Sequence, residues 1–458
     1  MTELNIEAHR AAWKATTEGK ALYVERPAVF SPAAAAQDAS NGSRMLWNWA
    51  PIWLPWEYTS WLEEGRSFHD TAYIGDWSGL VKVKIKGPQA FEFLSYVGTN
   101  DLSNFGVGRV KHHVQVNENG MIAAQGVLYR VAEDEFWFTG GSAYWTYYML
   151  EEGGWDAKAE VDSADYFLFS VQGPQSLAIM EAVTGSKLGH LRFNQWETFQ
   201  IAGADVMVLR TGVSGEIGYE LHGPSAAGNS VWSTVVEVGT PFGIKQLGVR
   251  AQMISHVEAG IATNDRDFVS AAVGTAGQPQ INPSARSRIS GSFRPKEVSD
   301  LHRTPAELGW FSQVSLDTHD FIGREALIKQ RDEGGPARRM IGLVWNNQDV
   351  VDVYATIFDD EPVAPMDLPR NLTLSVDHVL QDGKEVGVST SRVYSPFLRK
   401  MISIGHIDVG LAEVGRELTV LWGEPNKPQR QIRATVIELP FKPDLRRVEL
   451  AAQGATAQ

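Results

Sequence analysis

Three stretches of the chain share one pattern: 81-VKVKIKGPQAFEFLSYV-97, 167-FLFSVQGPQSLAIMEAV-183 and 218-GYELHGPSAAGNSVWSTVV-236. Each passes from an alternating or apolar strand through Gly-Pro into helical spacing. Gly87, Gly173 and Gly223 supply the freedom a sharp turn needs, while Pro88, Pro174 and Pro224 stand where a helix begins and no backbone N–H is required. Hairpin-like segments such as 114-VQVNENGMIAAQGVLYRV-131 lie between the units. Strand, turn and helix repeated in this way predict an α+β fold built from related units, not a doubly wound parallel sheet.

The pattern changes near residue 335. RDEGGPARR is a polar linker, and beyond it IGLVW, GKEVGVSTSRVYSP, MISIGHIDV, RELTVLWG and QIRATVIEL are short strands at turn-rich spacing. This predicts an α+β region over 1–335, a C-terminal antiparallel β-barrel or sandwich over 338–445, and a mobile tail over 446–458. The alanine-rich run 32-PAAAAQDAS-40 also reads as mobile. The length, 458 residues, suits two or three domains. A net charge of −14 disfavours nucleic acid as a partner. No apolar run is long enough to span a membrane, and the charged start lacks a signal peptide's apolar core. The chain has no cysteine, which excludes disulfides, thiolate catalysis and Cys-ligated metal. The expectation is a cytoplasmic protein.

In 210-RTGVSGEIGYELHGP-224 a carboxylate, Glu220, interrupts a half-buried strand pattern behind spaced glycines. The spaced glycines could cradle a phosphate, but Glu216 and Glu220 would repel one and no Lys-Ser or Lys-Thr follows. A tight turn leading to a solvated Glu is a second reading. In the third, Glu220 lines a pocket and accepts paired hydrogen bonds from a ligand. Fifteen tryptophans are present, with Trp47, Trp49, Trp53, Trp56 and Trp61 clustered among Pro51 and Pro55. The prolines forbid one helix there. The cluster is either a packed aromatic subdomain or the wall of a pocket for a flat aromatic substrate.

Nine stretches in order, among them 98-GTNDL-102, 117-NENGMI-122, 171-VQGPQS-176, RTGVSGEIGYEL, 247-LGVRAQMISHVEAG-260, 321-FIGREAL-327 and 404-IGHIDVG-410, carry a resemblance to the T-protein family. These are the aminomethyltransferases of the glycine cleavage system, and the resemblance covers nearly the whole chain. It implies three domains in a ring around tetrahydrofolate, ending in the barrel. It also implies that Glu220 and Gln172 contact the pterin and that Trp137 stands against it. Arg250 and Gln252 fall at further cofactor-facing positions of the family pattern.

The sequence departs from the family where acids are expected: Ala124 and Gln125 replace an Asp pair, and an amide is no general base. Glycine cleavage and a lipoyl carrier partner are therefore not expected. The C-terminal wording is similar to the family's aryl-ether branch, whose members demethylate vanillate and syringate or take the methylenedioxy carbon of a lignan. Those demethylases carry a Tyr after Arg-Ala, where this chain has Gln252. The expected function is a tetrahydrofolate-dependent one-carbon transferase acting on a small aromatic ether. The alternatives are a demethylase of an N-methyl or sulfonium compound and a non-enzymatic folate binder. Expelling a phenolate calls for a proton donor, and Tyr73, His113 and His256 are candidates beside Gln125; His69 and His112 rank below them. Each histidine also reads as a satisfied structural residue. No metal spacing appears.

Overall fold

In the computed structural model, which describes residues 29–450 apart from 50, 141 and 273–288, together with Glu7, Arg10, Ala11 and Lys14, mixed strands and helices precede a closed barrel. Gly87 and Gly173 have φ of +148° and +129°. A Cβ at either would also come within 2.6 Å of neighbouring backbone. The helices Ala90–Val97 and Ser176–Thr184 follow these turns. The third unit is built differently. Its strand, Gly218–Pro224, runs through the Gly-Pro pair, and a 3-10 turn at Ser225–Ala227 precedes the helix Gly228–Gly239. Gly223 is therefore not a turn residue. It leaves room for Phe167, whose ring would lie 2.6 Å from a Cβ there.

Two sheets form the first part of the molecule. One has five strands in the order Val110–Val116, Ile122–Arg130, Glu135–Gly140, Val81–Lys86, Lys158–Val161. The other has six: Trp196–Ile201, Ala204–Arg210, Gly218–Pro224, Tyr166–Gln172, Tyr73–Asp76, Lys245–Leu247. The strand Tyr73–Asp76 enters the six-stranded sheet before the chain builds the five-stranded one, so the two are interleaved. Each sheet buries one face under helices: Val83, Ile85, Phe93, Phe136 and Phe138 in the first, Phe167, Phe169, Tyr219, Leu221 and Trp232 in the second. The other faces meet, with Val110 and Tyr129 against Met207 and Leu209. Because side chains alternate along a strand, Gln172, Gly218, Glu220 and His222 all point into this cleft.

The C-terminal strands close into a six-stranded barrel, Arg338–Trp345, Lys400–Asp408, Lys384–Ser395, Asp377–Gln381, Glu417–Trp422 and Arg430–Ile437. Its interior is filled by Ile341, Trp345, Val379, Ile407, Val420 and Ile432. The α+β class and the antiparallel barrel read from the sequence are thus present. No described helix is long and apolar enough to cross a membrane.

Two segments expected to be mobile are ordered. The alanine run forms the helix Ala34–Ser40, because Gln37 is buried and donates to the Asp76 carboxylate at 2.7 Å. Residues 446–450 lie on the six-stranded sheet: Arg210 donates to the Val448 carbonyl, and Leu450 is buried in the core. The rest of the expected tail, 451–458, lies outside the described residues. The tryptophan cluster forms a small sheet, Val29–Phe30, Ile52–Pro55 and Leu46–Trp49, followed by the helix Trp61–Asp70.

Candidate active site

The glycines of the 212–218 loop are explained by Gln172. Its side-chain oxygen accepts hydrogen bonds from the N–H groups of Val213 and Ser214, each at 3.1 Å, and from the Ser214 hydroxyl at 2.7 Å. Its amide nitrogen donates to Ser170 Oγ at 2.7 Å. A Cβ at Gly212 or Gly218 would come within 2.4 or 2.8 Å of this amide. The side chain expected to grip a pterin thus fastens the loop, and its acceptor oxygen is used within the protein.

Beyond the loop, Glu220 lies in the cleft with Ser170 and Leu209 beside it on the neighbouring strands. Its Oε2 is 3.7 Å from His222 Nε2, and that nitrogen is 3.0 Å from the Tyr129 hydroxyl. Burial keeps His222 below its usual range and raises Tyr129 well above its own, with Glu220 adding to the second shift. A neutral imidazole and a neutral phenol therefore share one hydrogen bond beside the carboxylate. Trp137 lines a cavity with Lys82, Tyr129, Tyr166 and His222, and its indole N–H bears on the Glu135 carboxylate. Burial brings Lys82 down to about 7, with Asp76 opposing the shift. The Lys82 ammonium donates to the carbonyls of Ser78 and Leu80 at 3.1 Å each.

Tyr73 heads the neighbouring strand, paired in register with Gln172. It is fully buried, and its hydroxyl has no hydrogen-bond partner within good geometry. Burial, with Glu220 adding, raises its pKa, while nearby Ser255 opposes the rise. The group is a phenol that keeps its proton. Its ring stacks on Trp77 at 6.2 Å, and Trp77 stacks on His256 at 6.1 Å. Trp49, Trp61 and Val213 pack against this aromatic group. Desolvation brings the buried His256 down to about 4, with a hydrogen bond to the Gln252 backbone opposing the shift, so the ring is neutral at physiological pH. Gln252, one turn earlier on the helix Val249–Glu258, is buried.

Three sequence candidates sit elsewhere. His113 points to the helix-covered side of the five-stranded sheet, 3.2 Å from the Leu94 carbonyl and 3.2 Å from the Gln115 amide. Both ring nitrogens are engaged, and burial brings the pKa down to about 3. Gly98 clears its way, since a Cβ there would lie 2.1 Å from the ring. His113 thus has partners within the protein on both ring nitrogens, and its neighbour His112 takes the opposite face. His112 donates to Gln125 Oε1 at 2.9 Å and meets Trp310 edge-on at 5.0 Å. Gln125 is thus an acceptor that orients His112, not a proton acceptor. Arg250 reaches Glu57 at 2.6 Å, donates twice to the Leu368 carbonyl and covers Trp61. It fastens the tryptophan segment to the barrel side.

Sequence reading gave no part to Tyr129, His222 or Lys82, and ranked His69 low. His69 Nε2 is 2.5 Å from Glu258, both buried, and its ring stacks on Phe397 at 3.7 Å. Only the alternation around Glu220, which puts His222 two residues on, offered a signal for any of these. Among the described residues, no group of three or more His, Asp or Glu could hold a metal ion.

Comparison with known proteins gives these arrangements a context. Residues 17–272 match the GCVT N-terminal domain family, and 366–442 match the glycine cleavage T-protein C-terminal barrel domain. Over 418 residues the chain is 35% identical to a sesamin methylene transferase of a Sinomonas species, covering 85% of this chain and 90% of that one. It is 32% identical over 417 residues to a syringate O-demethylase of a Sphingobium species, with the same coverages. An aminomethyltransferase of a Thermoanaerobacter species is 25% identical over 393 residues, 85% of this chain and 91% of that one. The crystal structure of glycine cleavage system aminomethyltransferase T from Bartonella henselae shares the fold, with a TM-score of 0.69 at 20% identity over 92% of this chain and 99% of that one.

Proposed function

The chain belongs to the glycine cleavage T-protein family, and from that premise we propose that it moves one carbon from a small aromatic ether to tetrahydrofolate. It is a tetrahydrofolate-dependent one-carbon transferase of the aryl-ether kind. The finer reading is that the donor is a methylenedioxy or methoxy arene, leaving a catechol or a phenol. Tetrahydrofolate would supply a nucleophilic ring amine. The residues present suit it. Glu220 offers a carboxylate in the cleft to adjacent ring and exocyclic N–H groups, and the Trp137 ring lines the adjoining cavity.

The observation that carries the donor assignment is the buried phenol of Tyr73, its proton retained and only Ser255 beside its hydroxyl, stacked on Trp77 with Trp49 and Trp61 packed nearby. A flat arene held against such rings loses little side-chain entropy. Its departing oxygen needs a proton, which Tyr73 holds and His256, neutral, could relay or orient. Glycine as donor is disfavoured, since Ala124 and Gln125 provide no carboxylate and Gln125 is bound to His112. The cytoplasm is the expected compartment.

The folate half is tested by Glu220→Gln. Losing a charge-assisted contact of about 1.5–3 kcal/mol should weaken tetrahydrofolate roughly ten- to a hundredfold by calorimetry. Unchanged affinity would remove Glu220 from the cofactor site.

A further inference from the structure

Between the helix Val249–Glu258, the loop after it and one end of the barrel lies a second pocket. Met253 and Val257 form its apolar side, and Arg266, Arg370 and Arg392 line the rest. One of the guanidinium groups has little among the described residues to neutralise it. Arg370 is 5% exposed, yet among the described residues its Nε has no hydrogen-bond partner, and the charge that bears on it is that of Arg266. Burial and that like charge bring it down to about 9. Arg266 is balanced by the Asp265 and Asp267 carboxylates, the second of which also accepts from the Thr390 hydroxyl at 2.6 Å and the Thr263 N–H at 2.8 Å. Arg392 is better satisfied, donating to the Asp367 carbonyl and the Asn371 side chain and lying over Trp422.

The pocket's other polar groups are donors in waiting. Asn371 Nδ2 and Ser375 Oγ are buried without partners. A register break between Thr390 and Val393 bends the strand here, the kind of bulge that re-aims side chains at a barrel rim. A buried guanidinium without a counter-charge is costly in a folded chain, and donors converging on one cavity are the arrangement that accepts an anion.

We infer that Arg370, with Arg266, Ser375 and Asn371, forms a binding site for a carboxylate. The planar fork of a guanidinium suits a carboxylate's two oxygens, and the helix that walls the pocket also carries Gln252 and His256. On the proposed function, the carboxylate belongs to one of the two ligands: the glutamyl tail of the folate or an acid group on the aromatic donor. The choice of source rests on the proposed function; the anion site itself does not.

The test keeps these apart. Glutarate, as a bare probe, should raise the melting temperature of the wild-type protein and not that of Arg370→Met. Ligand-free Arg370→Met should melt at the same temperature as wild type or higher, because an uncompensated buried charge is removed. A lower melting temperature with glutarate stabilisation retained would overturn the site. Calorimetry then compares tetrahydrofolate with tetrahydropteroate, and a methoxybenzoate with the matching methoxybenzyl alcohol. A preference of roughly tenfold or more for one carboxylate-bearing partner, lost in Arg370→Met, supports the site and names its source. Neither preference in wild type refutes a carboxylate role for either source. Should Arg370→Met not fold, Ser375→Ala should reduce the same preference. If no folate binds while glutarate does, the proposed function fails and the anion site stands.

Discussion

At the scale of single residues, burial decides which groups can take part. Tyr73 and His113 were equal candidates as sequence, yet the Tyr73 hydroxyl has only Ser255 beside it while the His113 ring has both nitrogens in use. Tyr73→Phe should therefore lower kcat by about a hundredfold while KM stays within about threefold, the signature of a group needed only in the transition state. Equal losses in both constants would make Tyr73 a packing residue. His113 contributes to stability instead. Its folded pKa, about 3, lies below the ordinary value near 6.5. Between these values the unfolded chain binds the extra proton, so stability is full above about pH 6.5 and falls as pH drops toward 3. His113→Gln should shed on the order of 2 kcal/mol of the loss seen at pH 5, measured as the difference in urea midpoint between pH 7 and pH 5. An identical pH dependence in both proteins would mean His113 is already protonated or exposed.

At the scale of elements, the alternation of strands explains both what was legible and what was not. The repeated Gly-Pro units located three strand-to-helix passages, but could not show that Gly223 serves close packing while Gly87 and Gly173 serve turns. Adjacent His112 and His113 must face opposite ways, and nothing local says which face is the cleft. That depends on which side the helices Ala90–Val97 and Tyr144–Gly153 cover. Gln172 was legible as a site position but not as the anchor of the 212–214 loop, since its partners lie 41 and 42 residues away. Tyr129 and His222, 93 residues apart, meet only because two sheets pack face to face. The tryptophan segment is likewise set by a distant clamp. Arg250→Ala should free Trp61 and its neighbours, raising KM for the aromatic donor and lowering kcat together. A double-mutant cycle with Glu57→Ala should show coupling of about 1–3 kcal/mol. Simple additivity would mean the pair is a bystander.

At the scale of the whole molecule, the barrel is tied back to the cleft by the chain that leaves it. Phe441 N–H donates to the Glu258 carbonyl at 2.9 Å, Lys442 pairs with Glu216, and Leu445 N–H donates to the Gly215 carbonyl at 2.7 Å. Arg446 then reaches the Gly212 carbonyl at 3.2 Å. The loop beside Glu220 is thus held from one side by Gln172 and from the other by the C-terminal segment. Such bracing is how a site built from far-apart stretches keeps its geometry. The central claim is that this geometry serves one-carbon transfer from an aromatic ether to tetrahydrofolate. The most direct measurement incubates the protein with tetrahydrofolate and ethers labelled with carbon-13 at the methoxy or methylenedioxy carbon, and follows the folate by mass spectrometry. The account predicts label in the folate, as methylene-tetrahydrofolate from a methylenedioxy donor or methyl-tetrahydrofolate from a methoxy donor, with the matching catechol or phenol released. Unlabelled folate with every aromatic ether, alongside label transfer from an N-methyl or sulfonium compound, would contradict it.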